Sequence, residues 1–386
     1  MQTRWGAVFA LWFAGLCAAG QFSKIGVIFP ELATLWPGAG ARLGLVVSVV
    51  GVVGVIFGTT AGLLVVRLGA RRLIIGALIA GAVISALQCL QLPLGVMIAS
   101  RVLEGFAHLA IVVAGPVLIA GAAAPRDQAA AMTLWSTFFG LAFTVTALFG
   151  LPLAQSHGAA ALWAIHAVLM VLAAALLVRV LPPEARQPAQ VPLRLPALLS
   201  DTRAIYASPS VAAPAMGFVF YTLIFVAALT LVPGLVAPQF RALTATVMPL
   251  VSIASSLGVG VALTRRLGAV RVVQIGFAGG ALAALLWLLA SGLGQVGAAL
   301  LISASLGLVQ GASFAAIPEL NPTPEARARA AGAIAQLGNV GTTLGTPVLL
   351  ALAAQLGPAA LTLFTLPLCL GGIAVHVWLR RRRTRF

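Results

Sequence analysis

Hydrophobic residues form long, almost uninterrupted runs along this chain, and short polar gaps separate them. Twelve of these runs are long enough to cross a bilayer as a helix, which takes about 20 apolar residues. The pattern therefore predicts an all-α polytopic membrane protein with twelve transmembrane helices. The predicted spans are about 5–29, 43–66, 73–92, 94–123, 129–154, 160–181, 208–235, 242–264, 272–291, 296–318, 328–354 and 359–379.

One long polar gap divides the twelve spans into six and six. Residues 182–207, PPEARQPAQVPLRLPALLSDTRAIYA, are rich in proline and contain several charges, which is typical of an exposed connection. We therefore predict an N-terminal six-helix bundle over 1–181, a cytoplasmic linker over 182–207 and a C-terminal six-helix bundle over 208–386.

The two halves share short sequence matches at one spacing. RLGARR at 67–72 is matched by RLGAVR at 266–271, an offset of 199 residues. The same offset relates Pro125 to Pro324, and a polar, alanine-rich helix start follows each proline. Two matches at one offset predict a duplicated unit, as in transporters built from parallel repeats, and hence two pseudo-symmetric bundles.

Composition and charge support a membrane location and set the predicted orientation. The chain is 61% hydrophobic and only 8% charged, whereas soluble domains have about 25% charged residues. Although the net charge is +16, most of the arginines lie in gaps on one side, so the positive-inside rule places both termini in the cytoplasm. The basic tail RRRRTRF is then an anchor on anionic lipid rather than a nucleic-acid site. The three scattered cysteines indicate neither a disulfide nor a metal site, and we predict no cofactor.

Ionisable side chains inside the spans are few. Lys24, the only lysine, lies in the first span, and the fourth span contains Arg101, Glu104 and His108. The i, i+3, i+7 spacing puts these three on one helix face, and a rise of 1.5 Å per residue puts Lys24 and Arg101 at similar depths, roughly 9 and 10 Å from the outer surface. A charge at the bilayer centre costs about 2.5–3.5 kcal/mol on insertion scales unless it faces protein or water. We therefore expect these groups to meet inside the protein.

Two motifs resemble those of the major facilitator superfamily. The residues that match its loop motif between helices two and three are Gly62, Arg67, Gly69, Arg71 and Arg72. Val66 stands where the family has an acidic residue, so the cytoplasmic latch that this acid supports must be weaker here or built otherwise. RVLEGF, with Arg101 and Gly105, matches the fourth-helix motif, and SRVLEGF and AQLGNVGTTLGTP are similar to the cyanate and nitroimidazole permease branch.

The resemblance covers essentially the whole chain and implies a function. It implies a monomeric secondary transporter of the bacterial cytoplasmic (inner) membrane, surrounded by lipid, that works by alternating access and is not an enzyme. The P-loop sequence of ATP-driven pumps is absent from the chain. In the family fold helices one, four, seven and ten line the central cavity. The face of the fourth span that carries Arg101, Glu104 and His108 would then face the substrate path.

These residues predict transport of a small organic anion coupled to protons. Two cations near one carboxylate can bind an anionic group while Glu104 takes up or releases a proton, and His108 is a second candidate proton carrier. Neutral polar groups of the second half are expected to complete the site. The predicted substrate contacts are Lys24, Arg101, Tyr221, Gln310, Gln336 and Asn339.

Structural roles are the alternative for each of these residues. Lys24 could extend to the outer headgroups or pair with Glu31, Arg101 and Glu104 could form an internal ion pair, and His108 could hold a structural hydrogen bond. The aromatic stripe around Tyr221 could be ordinary helix packing, and the three amides could join helices. Three isolated histidines suggest only packing or loop roles: His157, His166 and His376.

A drug/proton antiporter that exports lipophilic compounds is the alternative function. Such antiporters have a Gly-Pro pair followed by glycines in the fifth helix. Here Gly150 and Pro152 are arranged differently, which counts against this alternative.

Overall fold

The computed structural model describes residues 2–39, 42–183 and 195–383, which are helical and contain no strand. Twelve helical segments in these ranges are long and apolar enough to cross a membrane, which confirms the predicted fold class. We label them α1 to α12 in chain order. They are Trp5–Gly26, Leu43–Leu68, Ala70–Gln88, Leu94–Ala122, Pro125–His157, Ala159–Val180, Ala213–Leu235, Pro238–Leu267, Ala269–Leu289, Leu293–Leu320, Pro324–Leu356 and Ala359–Arg383.

The first span ends earlier than the predicted boundary at residue 29. α1 stops at Gly26, and a separate short helix, Phe29–Leu35, follows it. The break lies just before Pro30, which has no N–H to bond to the carbonyl of Gly26 and instead occupies the first turn of the short helix, where that N–H is not needed. Lys24 consequently lies in the last turn of α1, where the free carbonyls of a helix end favour a cation.

The twelve helices form two bundles. In the N-terminal bundle α1 packs against α4, α5 and α6, and α3 packs against α4 and α6. In the C-terminal bundle α7 packs against α10, α11 and α12, and α9 packs against α10 and α12. The bundles meet chiefly where α2 packs against α11 and α5 packs against α10. The two bundles therefore contact each other closely at the end of the molecule that carries most of the arginines, which we call the arginine-rich end.

Glycines at matching positions confirm the pseudo-symmetry of the two bundles. Gly69 and Gly268, which precede α3 and α9, have φ angles of 85° and 82°. Gly158 and Gly357, which follow α5 and α11, have φ angles of 80° and 55°. The members of each pair are 199 positions apart, the offset found in the sequence. Glycine is suited to these turns because it has no Cβ to clash at positive φ.

α5 and α8 are irregular, and both contain a π turn. The π turn of α5 spans Thr146–Gly150, and that of α8 spans Ser256–Gly260. Pro152 follows the first of these turns, where its missing N–H removes a helical hydrogen bond and the wider π turn accommodates the ring. The two helices contact each other across the bundle interface.

Part of the predicted linker is helical. Residues 184–194 lie outside the described ranges, and Leu195–Ala207 forms a helix. The Tyr206 hydroxyl on this helix donates a 2.5 Å hydrogen bond to Gln336 Oε1 of α11. Burial raises the pKa of Tyr206 to about 12, so the phenol keeps its proton and remains a donor at neutral pH. The second half of the linker is thereby attached to the bundle interface.

Candidate solute and proton-coupling site

A cluster of three charged side chains lies inside the N-terminal bundle. Lys24 Nζ of α1 is 2.5 Å from Glu104 Oε1 of α4, and Arg101 Nη1 pairs with Glu104 Oε2. Each of the three side chains is at most 1% exposed. The structure thus brings together three residues that the sequence singled out, and it encloses them in protein.

Polar groups of α3 complete the surroundings of Lys24. Its ammonium donates hydrogen bonds of 2.7 Å to both Ser85 Oγ and Gln88 Oε1. The amide nitrogen of Gln88 in turn donates a 3.0 Å hydrogen bond to Glu104 Oε2. Glu31 accepts a hydrogen bond from Gln155 instead. Lys24 therefore neither reaches the outer headgroups nor pairs with Glu31.

The charges of this cluster do not balance. Lys24 and Arg101 supply two positive charges and Glu104 supplies one negative charge, a net charge of +1. Arg101 Nε donates to the backbone oxygen of Val46, 2.8 Å away, but Arg101 Nη2 has no hydrogen-bond partner among the described residues. An uncompensated buried charge is costly, so either a bound anion or the loss of one proton would stabilise this cluster.

His166 of α6 is not isolated, as the sequence suggested, but extends the cluster. Its Nδ1 lies 2.8 Å from Ser85 Oγ, and its Nε2 lies 2.9 Å from the backbone oxygen of Cys17. Sequence reasoning assigned no role to Ser85 or Gln88 and only a packing or loop role to His166. The available signal was a polar residue within an apolar span, but the sequence could not tell which helix faces would meet.

His108 lies one helical turn beyond Glu104 on α4 and bonds to the backbone of α1. Its Nδ1 is 2.9 Å from the backbone oxygen of Ala18, which can only accept, so Nδ1 carries the hydrogen. The ring packs edge-on against Phe22, with centroids 4.8 Å apart, and Phe22 also contacts Phe139. His108 keeps 6% exposure, whereas Arg101 and Glu104 have none.

Phe22 marks where the two bundles approach each other. A Cβ added to Gly51 of α2 would lie 3.9 Å from Phe22 Cε1 and 3.5 Å from Asn339 Oδ1 of α11. The Asn339 amide nitrogen donates a 2.7 Å hydrogen bond to the Ala335 oxygen of its own helix. The region around Phe22 and Asn339 is therefore a part of the boundary between bundles.

The two predicted glutamines join the bundles in this conformation. Gln310 Nε2 of α10 donates to the backbone oxygen of Ser136 in α5, 2.5 Å away. Gln336 Nε2 of α11 donates to the backbone oxygen of Val55 in α2, 2.8 Å away. Both amides therefore hold a backbone carbonyl of the opposite bundle.

Tyr221 belongs to an aromatic stack within the C-terminal bundle. Its ring centroid lies 5.0 Å from that of Phe218 and 5.0 Å from that of Phe225. The side chain is buried, and the structure does not bring it to the charged cluster.

The loop-motif residues position helix ends and permit a close crossing. At Gly62 a Cβ would lie 2.6 Å from the backbone oxygen of Ala328, so α2 and α11 touch through their backbones. Arg71 donates hydrogen bonds of 3.1 and 3.2 Å to the backbone oxygens of Leu181 and Val178, the free carbonyls at the end of α6. Gly69 forms the turn before α3.

Arg67 and Arg72 lie at one end of a groove on the outside of the N-terminal bundle. The groove has a volume of about 1070 Å³ and runs between α3 and α4, away from the charged cluster. Apart from the two arginines its walls are apolar, with Phe106 and Leu103 on one side and Leu87 near the far end.

An ion pair between bundles involves the repeat equivalent of the position that lacks the family acid. Arg265 Nη2 of α8 is 3.7 Å from Asp127 Oδ1 of α5, and Asp127 Oδ2 accepts a 2.6 Å hydrogen bond from Thr3. Arg265 is the repeat equivalent, 199 positions on, of Val66. The position that lacks the family acid in one repeat therefore provides a cation in the other.

We expect this ion pair to contribute little to stability. Arg265 is 51% exposed, and exposed pairs contribute about 0.2–1 kcal/mol and are screened by salt. Arg265→Gln should therefore lower the free energy of unfolding by no more than about 1 kcal/mol. Thermal unfolding in detergent at low and high salt measures this, and a larger loss that persists at high salt would contradict it.

Comparison with known proteins places the chain in a recognised group of folds. The family model described as Major Facilitator Superfamily matches residues 11–322. No curated protein matches the chain by sequence. The human organic anion transporter MFSD10 (TETRAN) has a similar structure, with a TM-score of 0.78, 16% identity and coverage of 96% of this chain and 99% of that one.

Two symporters are also similar in structure. The fucose:proton symporter FucP of E. coli, in the outward conformation, gives a TM-score of 0.75 at 14% identity and covers 97% of this chain and 98% of its own. The proton:xylose symporter XylE, bound to 6-bromo-6-deoxy-D-glucose, gives a TM-score of 0.75 at 13% identity, with coverage of 98% and 95%. At these identities the likeness concerns the fold.

Proposed function

We propose that this chain, which belongs to the major facilitator superfamily, carries a small organic anion across the membrane together with protons. The observation that carries this proposal is the net charge of +1 in the buried cluster of Lys24, Arg101 and Glu104. The structural neighbours, which are an organic anion transporter and two proton symporters, agree with it.

The excess charge favours an anion between the bundles. At an effective dielectric constant of about 20, a net charge of +1 attracts a monovalent anion about 10 Å away by about 1.7 kcal/mol, more than tenfold in affinity. Arg101 Nη2, which is buried without a hydrogen-bond partner among the described residues, adds to this uncompensated positive charge. A cation in the same place would be repelled by a similar amount, so the cluster discriminates by sign.

The same excess couples the anion to a proton. The cluster becomes neutral either when an anion binds or when a proton leaves, so bound solute favours the protonated cluster and release of solute favours proton release. Lys24 is the group that loses this proton, and Glu104 is the coupling carboxylate whose charge holds the proton there. Glu104 lies near the middle of α4, whereas the other described acidic residues lie in loops, short helices or the terminal turns of membrane helices. His108 is the second candidate, at the boundary between bundles.

The remaining predicted contacts act at different stages of the cycle. Phe22, His108 and Asn339 line the boundary where solute would first meet the N-terminal bundle. Gln310 and Gln336 hold backbone carbonyls of the opposite bundle here. When the bundles part at the arginine-rich end, these amides lose those partners and become free to bind solute, with Tyr221 nearby.

The cellular setting follows the charge pattern. We place the protein in the inner membrane of a bacterium, as a monomer among lipids, with both termini in the cytoplasm. The arginines at one end of the bundles support this orientation through the positive-inside rule.

The test is solute-driven proton movement in proteoliposomes, screened with small organic anions, organic cations and neutral compounds. We expect a monovalent organic anion to drive protons in its own direction, and cations and neutral compounds to be silent. A response confined to lipophilic cations would overturn the proposal in favour of drug export.

A paired variant separates coupling from binding. Lys24→Met with Glu104→Gln in one chain removes both proton-exchanging groups but keeps Arg101 and a cluster charge of +1. We expect this double variant to retain anion counterflow, which needs no net proton movement, and to lose proton-driven accumulation. Wild-type accumulation by the double variant would exclude both residues from coupling.

A further inference from the structure

We propose that Lys24, Ser85 and His166 form a proton path inside the N-terminal bundle, which links the charged cluster to the imidazole of α6. This inference rests on the proposed proton coupling and names the route that the proton takes. The three residues come from α1, α3 and α6, and the distances are 2.7 Å from Lys24 Nζ to Ser85 Oγ and 2.8 Å from Ser85 Oγ to His166 Nδ1. Both lie within the range over which a proton transfers directly.

The hydrogen bonds of the path all point in one direction. The backbone oxygen of Cys17 can only accept, so His166 Nε2, 2.9 Å away, must carry a hydrogen. A neutral imidazole with its hydrogen on Nε2 accepts at Nδ1, so Ser85 donates its hydroxyl hydrogen there. Ser85 Oγ then accepts from the ammonium of Lys24, which can only donate. The chain of donors runs from Lys24 through Ser85 to His166.

This polarity permits one balanced transfer. A Lys24 N–H bond breaks and its proton joins Ser85 Oγ, while the former Ser85 O–H proton joins His166 Nδ1. The products are a neutral amine at Lys24, an imidazolium at His166 and an intact serine hydroxyl that now donates to the amine. No group outside the three is consumed, and the reverse sequence returns the proton.

The surrounding groups make the transfer depend on solute. Glu104 and Arg101 face Lys24 from α4, and Gln88 and Cys89 border it on α3. With the proton on Lys24 the charged cluster has a net charge of +1, and after transfer the Glu104–Arg101 pair is balanced. His166 lies on α6, which packs against α1, α3 and α5 of its own bundle, so the transfer moves the positive charge away from the boundary between bundles. An anion at that boundary therefore favours the proton on Lys24, and its departure favours the proton on His166.

Burial supports transfer along this path rather than exchange with solvent. Ser85 has no exposed surface, Lys24 is 1% exposed, and His166, with 5%, is the most exposed of the three. Water therefore does not compete for the hydrogen bonds at the centre of the path, and a proton on Lys24 has Ser85 as its neighbouring acceptor.

A purely structural network would behave differently under mutation. Ser85→Ala and His166→Gln interrupt the path, since neither an alanine methyl nor an amide can relay a proton, while Ser85→Thr restores the hydroxyl. Ser303→Ala is the matched control, because Ser303 is a buried serine that donates to the Met248 oxygen in the other bundle.

The experiment compares two readouts in the same proteoliposomes. We expect Ser85→Ala and His166→Gln to keep anion counterflow and to lose at least about tenfold in solute-driven proton movement, while Ser85→Thr and Ser303→Ala keep both. Proton movement at the wild-type ratio to solute in both interrupting variants would overturn the path. If the wild-type protein itself moves no protons with solute, the proposed coupling fails, and that outcome is distinguishable from failure of the path alone.

Discussion

Glu104→Gln is expected to lower the free energy of unfolding by about 3–5 kcal/mol, because it leaves two buried cations without their common partner. Lys24 and Arg101 both pair with this carboxylate, and neither is more than 1% exposed. Glutamine has nearly the same shape as glutamate, so the loss of stability would come from the change in charge rather than from a change in packing. Thermal unfolding of the purified protein in detergent is the measurement.

Removal of Lys24 provides the decisive contrast. Lys24→Met leaves Arg101 and Glu104 as a balanced pair, so we expect it to cost clearly less than Glu104→Gln. Adding Lys24→Met to Glu104→Gln should recover part of the stability, because only one cation then remains buried. The double-mutant cycle measures this coupling directly. Equal losses for the two single variants, with simple additivity in the double, would contradict the buried excess of positive charge.

Gly62→Val is expected to reduce transport roughly ten- to hundredfold by preventing closure at the arginine-rich end. A Cβ at this position would lie 2.6 Å from the Ala328 backbone oxygen, and a backbone atom cannot rotate away as a side chain does. Overpacking of this kind costs about 1–3 kcal/mol. That cost falls on the conformation in which α2 and α11 touch, so the populations of the two transport states should shift.

A thiol introduced near the contact reports that shift. Thr59 of α2 is only 2% exposed, so Thr59→Cys should react slowly with a water-soluble thiol reagent and faster when Gly62→Val is added. Gly76→Val is the matched control, because a Cβ at Gly76 in α3 would meet nothing within 4 Å. Equal labelling and normal transport in Gly62→Val would show that the backbone contact does not form during the cycle.

The membrane helices were predictable because each depends on local sequence. An uninterrupted apolar run of sufficient length has few alternatives to a spanning helix. The start of α11 shows the limit of apolar runs alone. The helix begins at Pro324, before the predicted residue 328, because Thr323 caps it by accepting a 3.2 Å hydrogen bond from the Ala326 N–H. A polar N-cap residue is a local sequence signal. A prediction based only on the length of an apolar run does not use it.

The charged residues of the site were predictable one by one, but their environment was not. Charge alone singled out Lys24, Arg101 and Glu104. The sequence placed them on the substrate path because the family lines its cavity with the first and fourth helices. The structure instead turns Lys24 toward Ser85 and Gln88 of α3, while Phe22, two positions earlier in α1, faces His108. Which face of α1 meets which neighbouring helix depends on how four helices pack together. The local sequence of one helix does not determine that packing.

The amides show a second limit. Gln310 and Gln336 were predicted to bind solute, and in this conformation they bind backbone oxygens of the opposite bundle. A role that changes as the bundles move is a property of two conformations. A single sequence pattern cannot assign it to either one.

The single unit of excess charge on the buried cluster also bears on how the membrane voltage acts on transport. A cluster of Lys24, Arg101 and Glu104 with a net charge of +1 is neutralised by one negative charge. The species that crosses is then one monovalent anion with one proton, which together carry no charge. A membrane voltage acts with about 2.3 kcal/mol per elementary charge per 100 mV, so it would neither drive nor oppose this step. The pH difference across the membrane would be the energy source, and a divalent anion would be expelled by the negative interior of the cell.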